Sequence, residues 1–505
     1  MNNNSGNIYL PILVIITLFI SLGITATTFV INQSKIARQL IDREISFQIA
    51  EAGLEYYRWH LNHNTEDFQD GTGAPGPYIH DYEDISGTIA GQFELGIVAP
   101  PDGSTVVQIS SSGYKTTKPN LRKTITITLG IPSFTNFAVA ADDEMRFGEG
   151  TEVFGPVHSN EGIRFDGLAH NIVTSHDDKY DDDDHGGGEE WAVHTHVSPT
   201  DPLPPNPIPD PPVLPHRPDV FEAGRDVNVK SISFTGISGQ LDDMQEAADD
   251  NGILLDDSGA EGYYIHFNPD DTVDIYTVDS QATCHKRVCF FWWGCWWTDY
   301  TGTSLYSVGS TSSFTYQGSS SIGLDMPDNG LIFVEDHVWV DGTIDGERVT
   351  VVAAEEPLAS GSANITVNND LLYTNYDGTD AIGLIAQNNV RAGFYSEDDL
   401  EIDAALIAQN GNVGRPFYEK DTGTFNPANC NDYANRDTLT SYGAIATNQR
   451  YGFAWVGDDF DCGDHTNESG YCNRNLLYDD NFYFAPPPFF PTTGQYRVVS
   501  WWQEE

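Results

Sequence analysis

From Ile8 to Ile31 the chain carries no charged residue and is almost wholly apolar. Without a Gly-Pro break, Asn32-Gln33-Ser34-Lys35 then opens a second pattern, with Ile36, Leu40, Phe47, Ala50, Leu54 and Leu61 near helical spacing. The first stretch predicts a helix of about 36 Å, at ~1.5 Å per residue. That exceeds the roughly 30 Å hydrocarbon thickness of a bilayer. The second predicts that the same rod continues as an amphipathic helix. A cleaved secretory signal fits poorly, because the apolar run is too long and Met1 to Asn7 holds no Lys or Arg. A plain single-span anchor stays open. Lys35, Arg38 and Arg43 follow the span, which on the positive-inside rule would keep the large C-terminal part inside the cell.

After a polar, Gly/Pro-rich stretch from Asn62 to Pro77, the period shortens to two. Gly91 to Val98, Thr105 to Ser110 and Arg122 to Leu129 alternate apolar and polar residues, with turns at Pro101-Asp102-Gly103 and Lys118-Pro119-Asn120. They predict a small antiparallel sheet over 63–131. From Pro132 the strands become short and small-residue-rich, through Phe137, Met145, Val153 and Ile163, and this style returns from Leu331 onward. Ile382-Gly-Leu-Ile-Ala386, Ala404-Ala-Leu-Ile-Ala408 and Tyr442-Gly-Ala-Ile-Ala446 are nearly a repeat, each followed by an amide-rich corner. The pattern predicts stacked rungs of a parallel β-helix over 132–175 and 322–505. A β-sandwich is the alternative. Residues 176–321 read as an insertion: an acidic, His-bearing loop, ten prolines between Pro199 and Pro218, a short helix near Leu241 to Asp250, a hairpin, and a Cys/aromatic loop. The fold class is therefore mainly β, with one N-terminal transmembrane and amphipathic helix over 1–62.

Charge narrows the partners. With 75 acidic against 24 basic residues the formal net charge is −51 over 505 residues, which excludes a nucleic-acid surface. Six cysteines, Cys284, Cys289, Cys295, Cys430, Cys462 and Cys472, lie far from the apolar run and form an even set. Three disulfides in an oxidising exterior would use them all, with the pairing open; cysteine zinc ligation is the alternative. Phe290, Phe291, Trp292, Trp293, Trp296 and Trp297 make the sharpest aromatic cluster, read either as a surface for a partner or glycan or as a cap on the β-helix.

The run around His176, Asp181, Asp183 and His185 reads first as a solvated loop, since contiguous like charges repel. As a ligand set its oxygens suit Ca²⁺ or Mg²⁺, whereas His194-x-His196 suits Zn²⁺ or Ni²⁺. Asp459 and Asp461 lie in a second oxygen-rich stretch that loosely matches a Ca²⁺ loop. Ca²⁺ is the one cofactor these features suggest. No Gly-x-Ser-x-Gly, His-Glu-x-x-His or phosphate-cradling Gly loop is present, so the chain is read as non-catalytic; a β-helix polysaccharide-active enzyme is the remote alternative.

Arg43-x-x-x-Phe47-x-x-Ala50-Glu51-Ala52-Gly53-Leu54 resembles the segment that follows the membrane span in PilX-like minor pilins. Gly155-Pro-Val-His-Ser-Asn160, Gly383-Leu-Ile-Ala-Gln-Asn388 and the closing Tyr478-Asp479 to Pro491 segment resemble C-terminal elements of large members of that family. The resemblance implies a non-catalytic subunit of a type IV pilus or pseudopilus that primes assembly or adheres at the tip. Its partners would be other pilin subunits and the assembly machinery, with the membrane held by the helix and a surface or glycan ligand bound by the head. It implies a single-pass protein of the bacterial inner membrane with the head outside, extracellular once assembled. Phe47, Ala50, Glu51, Gly53 and Leu54 would make helix–helix contacts. Gly6-Asn7 is the candidate leader cleavage point, although Asn7 and Pro11 stand where the family has Phe or Met and a glutamate, and no basic leader precedes Gly6. A static, membrane-anchored surface protein is the alternative reading.

Overall fold

The computed structural model describes residues 9–65, 67–100, 105–131, 134–182, 188–232, 234, 238–290, 294–299, 304–358, 360–418, 433–455, 469–483, 485–491 and 496–503. The chain divides into two compact units: 1–100, 106–130 and 496–505 form one, and 101–105 with 131–495 form the other.

In the first unit a single helix, α1 (Tyr9–Leu61), joins both sequence patterns without interruption. Residues 9–41 stand clear of any packing partner, and mean hydropathy over the apolar stretch reaches 2.3. The hydroxyls of Thr17, Ser21, Thr25, Thr27 and Thr28 donate to carbonyls three or four residues back, so they carry no unmet hydrogen bond into an apolar medium. From Asp42 onward one stripe is buried: Asp42, Ser46, Ile49, Ala50, Gly53, Leu54, Tyr57 and Leu61. Steps of three and four residues keep these positions on one face. Ile36 and Leu40, expected on that face, are exposed.

The stripe lies on a sheet of β1 (Tyr78–Glu83), β2 (Ile89–Val98), β3 (Val107–Lys115) and β4 (Lys118–Gly130), a consecutive antiparallel meander. Phe93, Leu95, Val107, Ile109, Ile125, Ile127 and Leu129 bury alternate positions, as the period-two pattern requires. The C-terminal strand, Arg497–Gln503, adds antiparallel to β4. The chain end thus belongs to this sheet and not to the head, where residues up to 505 were expected. Short strands with repeated small residues marked the head; Arg497-Val-Val-Ser-Trp-Trp-Gln lacks that signature and finds an open edge instead.

The second unit is built from parallel ladders. One passes from Ile253–Leu255 through Leu331–Val334, Arg348–Ala353, Ala381–Ala386 and Asp399–Ala408 to Asn435–Thr447. There it meets Val139–Ala141 and continues through Val157–Ser159 and Val173–Ser175 to Arg225–Asp226. A second ladder joins Tyr263–Asn268, Val338–Ile344, Ile365–Val367, Val390–Ala392 and Val413–Gly414. A third takes in Leu371–Tyr373, the first residues of Asp399–Ala408 and Asn435–Thr447, then Ser469–Tyr478, Thr151–Phe154 and Leu168–Ala169. This is the stacking of a parallel β-helix and not the antiparallel pairing of a sandwich.

Within this unit the chain enters the stack at its middle, runs to one end, crosses to the other and returns to its starting rung. The expected insertion is therefore not separate from the stack. Val193–His194, Arg225–Asp226, Ile253–Leu255 and Tyr263–Asn268 all supply parallel strands, and α2 (Ser238–Asn251) ends directly before Ile253. Among the described residues the main apolar interior is a large cluster dominated by Val, Ile, Leu, Ala and Phe.

Candidate functional site

The anchor helix is one candidate interaction surface. Ala50, Gly53 and Leu54 are buried on the chain's own sheet, Phe47 is half-buried and Glu51 is exposed. The close approach depends on glycine at two places. A Cβ on Gly113 would fall inside the shells of Ser46 O and Ala50 N, 2.9 Å from Ala50 Cα, and one on Gly53 would meet Ser111 Oγ and Phe93. Asp42 is clamped by Lys115, at 2.9 Å, and by Lys118. Tyr57 donates to Asp67 O at 2.7 Å and Tyr496 to Thr65 O at 3.0 Å, tying down the helix end and the last strand. Of the residues expected to make helix contacts, Glu51 alone is exposed; Glu44 and Glu55 are exposed as well, and the bases Lys35, Arg38 and Arg43 lie nearer the apolar segment.

A second candidate lies in the parallel unit. Lys179–Tyr180 pairs with Glu190–Trp191 as a short hairpin, and Val193–His194 lies parallel to Ile163–Phe165. These placements bring donor atoms of Asp182, Glu190, His194 and His196 within 4.8 Å of one another. All but His196, which is half-buried, are buried. His194 and His196 are two apart in extended chain, so both rings face one side. His194 is 1% exposed. Its Nδ1 lies 3.1 Å from Trp191 O, which can only accept, so Nδ1 carries the proton. Its Nε2 makes no hydrogen bond; it points to Glu190 Oε2 at 3.0 Å and Asp182 Oδ2 at 3.6 Å.

His196 Nε2 is 3.3 Å from Glu190 Oε1, and its backbone N–H donates to Asp166 Oδ1 at 2.7 Å. Burial, helped by Arg164 and His194, lowers the His196 pKa and keeps that ring neutral over more of the pH range. Arg164 sits behind the group, 2.6 Å from Asp166 and 3.7 Å from Asp182.

Sequence reasoning named His194 and His196 but not Asp182 or Glu190, which were indistinguishable among so many carboxylates. Of the other expected ligands, His176 is exposed with Nδ1 2.7 Å from Val229 O, and Asp181 is exposed. Asp183, His185, Asp459 and Asp461 lie outside the described residues, as do Gly6 and Asn7. The assembled donors include two imidazoles, unlike the all-oxygen set expected for Ca²⁺.

Cys284 is buried with Leu305, Phe394, Tyr418 and Ala434 in a satellite cluster. Cys284, Cys295 and Cys472 are disulfide-bonded, and Cys289 stands opposite Cys295 across the hairpin of His285–Phe290 and Gly294–Asp299. Cys430 and Cys462 lie outside the described residues. In the aromatic loop Trp296 is 46% exposed. Phe291, Trp292 and Trp293 fall outside the described residues, and the Phe290 and Trp297 side chains are likewise not described.

The architecture defines a class: a chain with one membrane-length helix whose second half lies on an antiparallel sheet, joined to a parallel β-helix unit. No family model and no curated protein matches the chain. Among solved structures it is similar to the competence-associated pilin ComZ from Thermus thermophilus, at 12% identity, covering 92% of this chain and 98% of that one, with a TM-score of 0.27. A TM-score that low does not establish a common fold.

Proposed function

We propose that the protein is a pilin-like minor subunit of a type IV pilus or pseudopilus. The helix holds the chain in the inner membrane, the acidic head lies outside, and the helix later packs beside those of other subunits. The observation that carries this reading is α1 itself. Its first half is apolar and unpacked, its second half is sheathed on one side only, and no break separates them. A simple anchor needs only the first half; a rod that continues past the bilayer with an exposed face is suited to lateral packing in a filament. Glu51 is exposed there together with Glu44 and Glu55, and Arg43 lies about 12 Å and Lys35 about 24 Å from Glu51 along the same rod, at ~1.5 Å per residue. Copies displaced axially by such a distance would place Glu51 beside a neighbour's base.

The head's parallel stack supplies a rigid, charged body for priming assembly or for contact with a surface, with no catalytic constellation assigned to it. The cysteines would brace its loops through three disulfides. The test is the content of sheared surface filaments compared with membranes. The wild-type chain should be found in filaments, Glu51→Lys should reduce it there at least tenfold with the head still folded, and Glu51→Lys with Arg43→Glu should restore part of it. A wild-type chain confined to membranes would replace this reading with that of a static anchored surface protein.

A further inference from the structure

We infer that Asp182, Glu190, His194 and His196 form a binding site for one zinc-class divalent cation. The Trp191 carbonyl holds a proton on His194 Nδ1, so in its neutral form the ring presents a lone pair at Nε2, buried and directed at carboxylate oxygens 3.0 and 3.6 Å away. Lone pairs facing one another in a buried site repel, and a cation between them turns each into a ligand. An imidazole whose other nitrogen donates to a backbone carbonyl is also the usual orientation of a metal-bound histidine.

The remaining geometry agrees. Four donors within 4.8 Å of one another would draw together by up to about 1.4 Å to surround an ion tetrahedrally at ~2.0–2.2 Å. Two nitrogens and two carboxylates suit Zn²⁺, whereas Ca²⁺ takes six to eight oxygens. Charge agrees as well: Asp166 and Asp182 lie against Arg164, and the carboxylates of Asp182 and Glu190 are themselves among the four donors, an acid-bearing set that suits a divalent ion. The Asp166 carboxylate ties the supports together, accepting from the His196 backbone N–H and from the Arg164 side chain. Asp182 follows the first strand of the hairpin, Glu190 belongs to the second, and His194 and His196 lie in and just after the strand paired with Ile163–Phe165, so the ion would staple the acidic excursion to the rungs.

The site belongs to the parallel unit and uses no residue of the helix, so its failure leaves the filament reading standing. The test uses the full chain in detergent micelles, stripped by chelator, dialysed and titrated with Zn²⁺ in excess Ca²⁺. One Zn²⁺ per chain by elemental analysis is expected, with Co²⁺ giving the visible bands of a four-coordinate nitrogen/oxygen site. His196→Asn, at the half-buried position, should weaken binding at least tenfold while retaining the far-ultraviolet dichroism of the parent; Glu190→Gln should do the same. His176→Asn should bind as the parent does. A folded parent that takes up no stoichiometric Zn²⁺, or variants at 190 and 196 that bind unchanged, would overturn the assignment.

Discussion

The helix-and-sheet unit and the parallel stack solve the same problem, burying backbone at close quarters, by opposite means. In the first, contact is achieved by removing side chains: Gly113 and Gly53 let α1 lie almost on the sheet's own backbone. In the second, contact is achieved by adding polar side chains that complete the turns. Asn364 Oδ1 accepts from the backbone and side-chain N–H groups of Asn389, and Asn389 Oδ1 accepts from Asn412 N at 2.9 Å, making a ladder along one corner. Buried arginines do likewise. Arg415 donates to Ala434 O, Phe394 O and Tyr433 O, and Arg474 to Tyr471 O and Cys472 O. An antiparallel meander closes its own turns and needs only room for the helix; a parallel stack turns three times per rung and must satisfy each corner.

The harshest way to break this contrast is to put a side chain where one is excluded. Gly113→Val would drive methyl groups into Ser46 O and Ala50 N, which are backbone atoms and cannot rotate aside. The expected result is undocking of the second half of α1, a loss of roughly 4 kcal/mol or more. Hydrogen exchange should show it as loss of protection in β3 and in residues 46–57. Protection equal to the parent would mean the close approach is not what holds the helix.

The complementary change in the stack is to take a corner away. Gln387 is fully buried; its Oε1 accepts from Glu355 N at 3.1 Å and its Nε2 donates to Leu358 O at 2.7 Å and Glu355 O at 2.9 Å. Gln387→Ala would leave these groups orphaned, at about 1–3 kcal/mol each before water enters. A net loss of about 3 kcal/mol in denaturant unfolding is expected, smaller than the glycine effect because a solvated corner can relax. An unchanged midpoint would show that water serves the corner as well as the amide does.

How much of this was legible follows from which interactions are local. The rung repeats were readable, and the structure aligns them in register: Gly383 with Ala405 and Ala444, Ile385 with Ile407 and Ala446. The long helix was readable because its pattern is continuous. The order of the stack was not, because pairing Ile445 with Val139 joins positions about 300 residues apart, and no local pattern encodes that. The placement of Arg497–Gln503 beside β4 is hidden for the same reason. Asp182 and Glu190 were hidden by abundance: one acid among 75 has no signature until the fold sets it beside an imidazole. The spacing His194-x-His196 was the one readable trace of that cluster.

The smallest expected effect concerns a corner group that the stack buries without satisfying fully. Asp403 has no exposure; its Oδ2 accepts from Tyr373 N at 3.0 Å and Tyr376 OH at 2.7 Å, while Oδ1 has no hydrogen-bond partner. Burial pushes its pKa up to about 7, against the two hydrogen bonds, with Glu401 and Asp370 adding to the rise. Its ordinary value is 3.8, so between about pH 4 and 7 the folded chain holds a proton that the unfolded chain has lost. Stability from this group is therefore full below pH 4, falls as pH rises, and is gone above pH 7. Asp403→Asn keeps an acceptor for both donors and removes the titration, but buries an amide N–H where Oδ1 stood. The gain at pH 8 should then be only about 1 kcal/mol, since an unmet buried donor costs about 1–3 kcal/mol. The clearer readout is the slope: unfolding midpoints of the variant should fall less than the parent's between pH 4 and 7. Identical slopes would mean that Asp403 stays ionised in the folded stack, and that its corner is better solvated than its burial indicates.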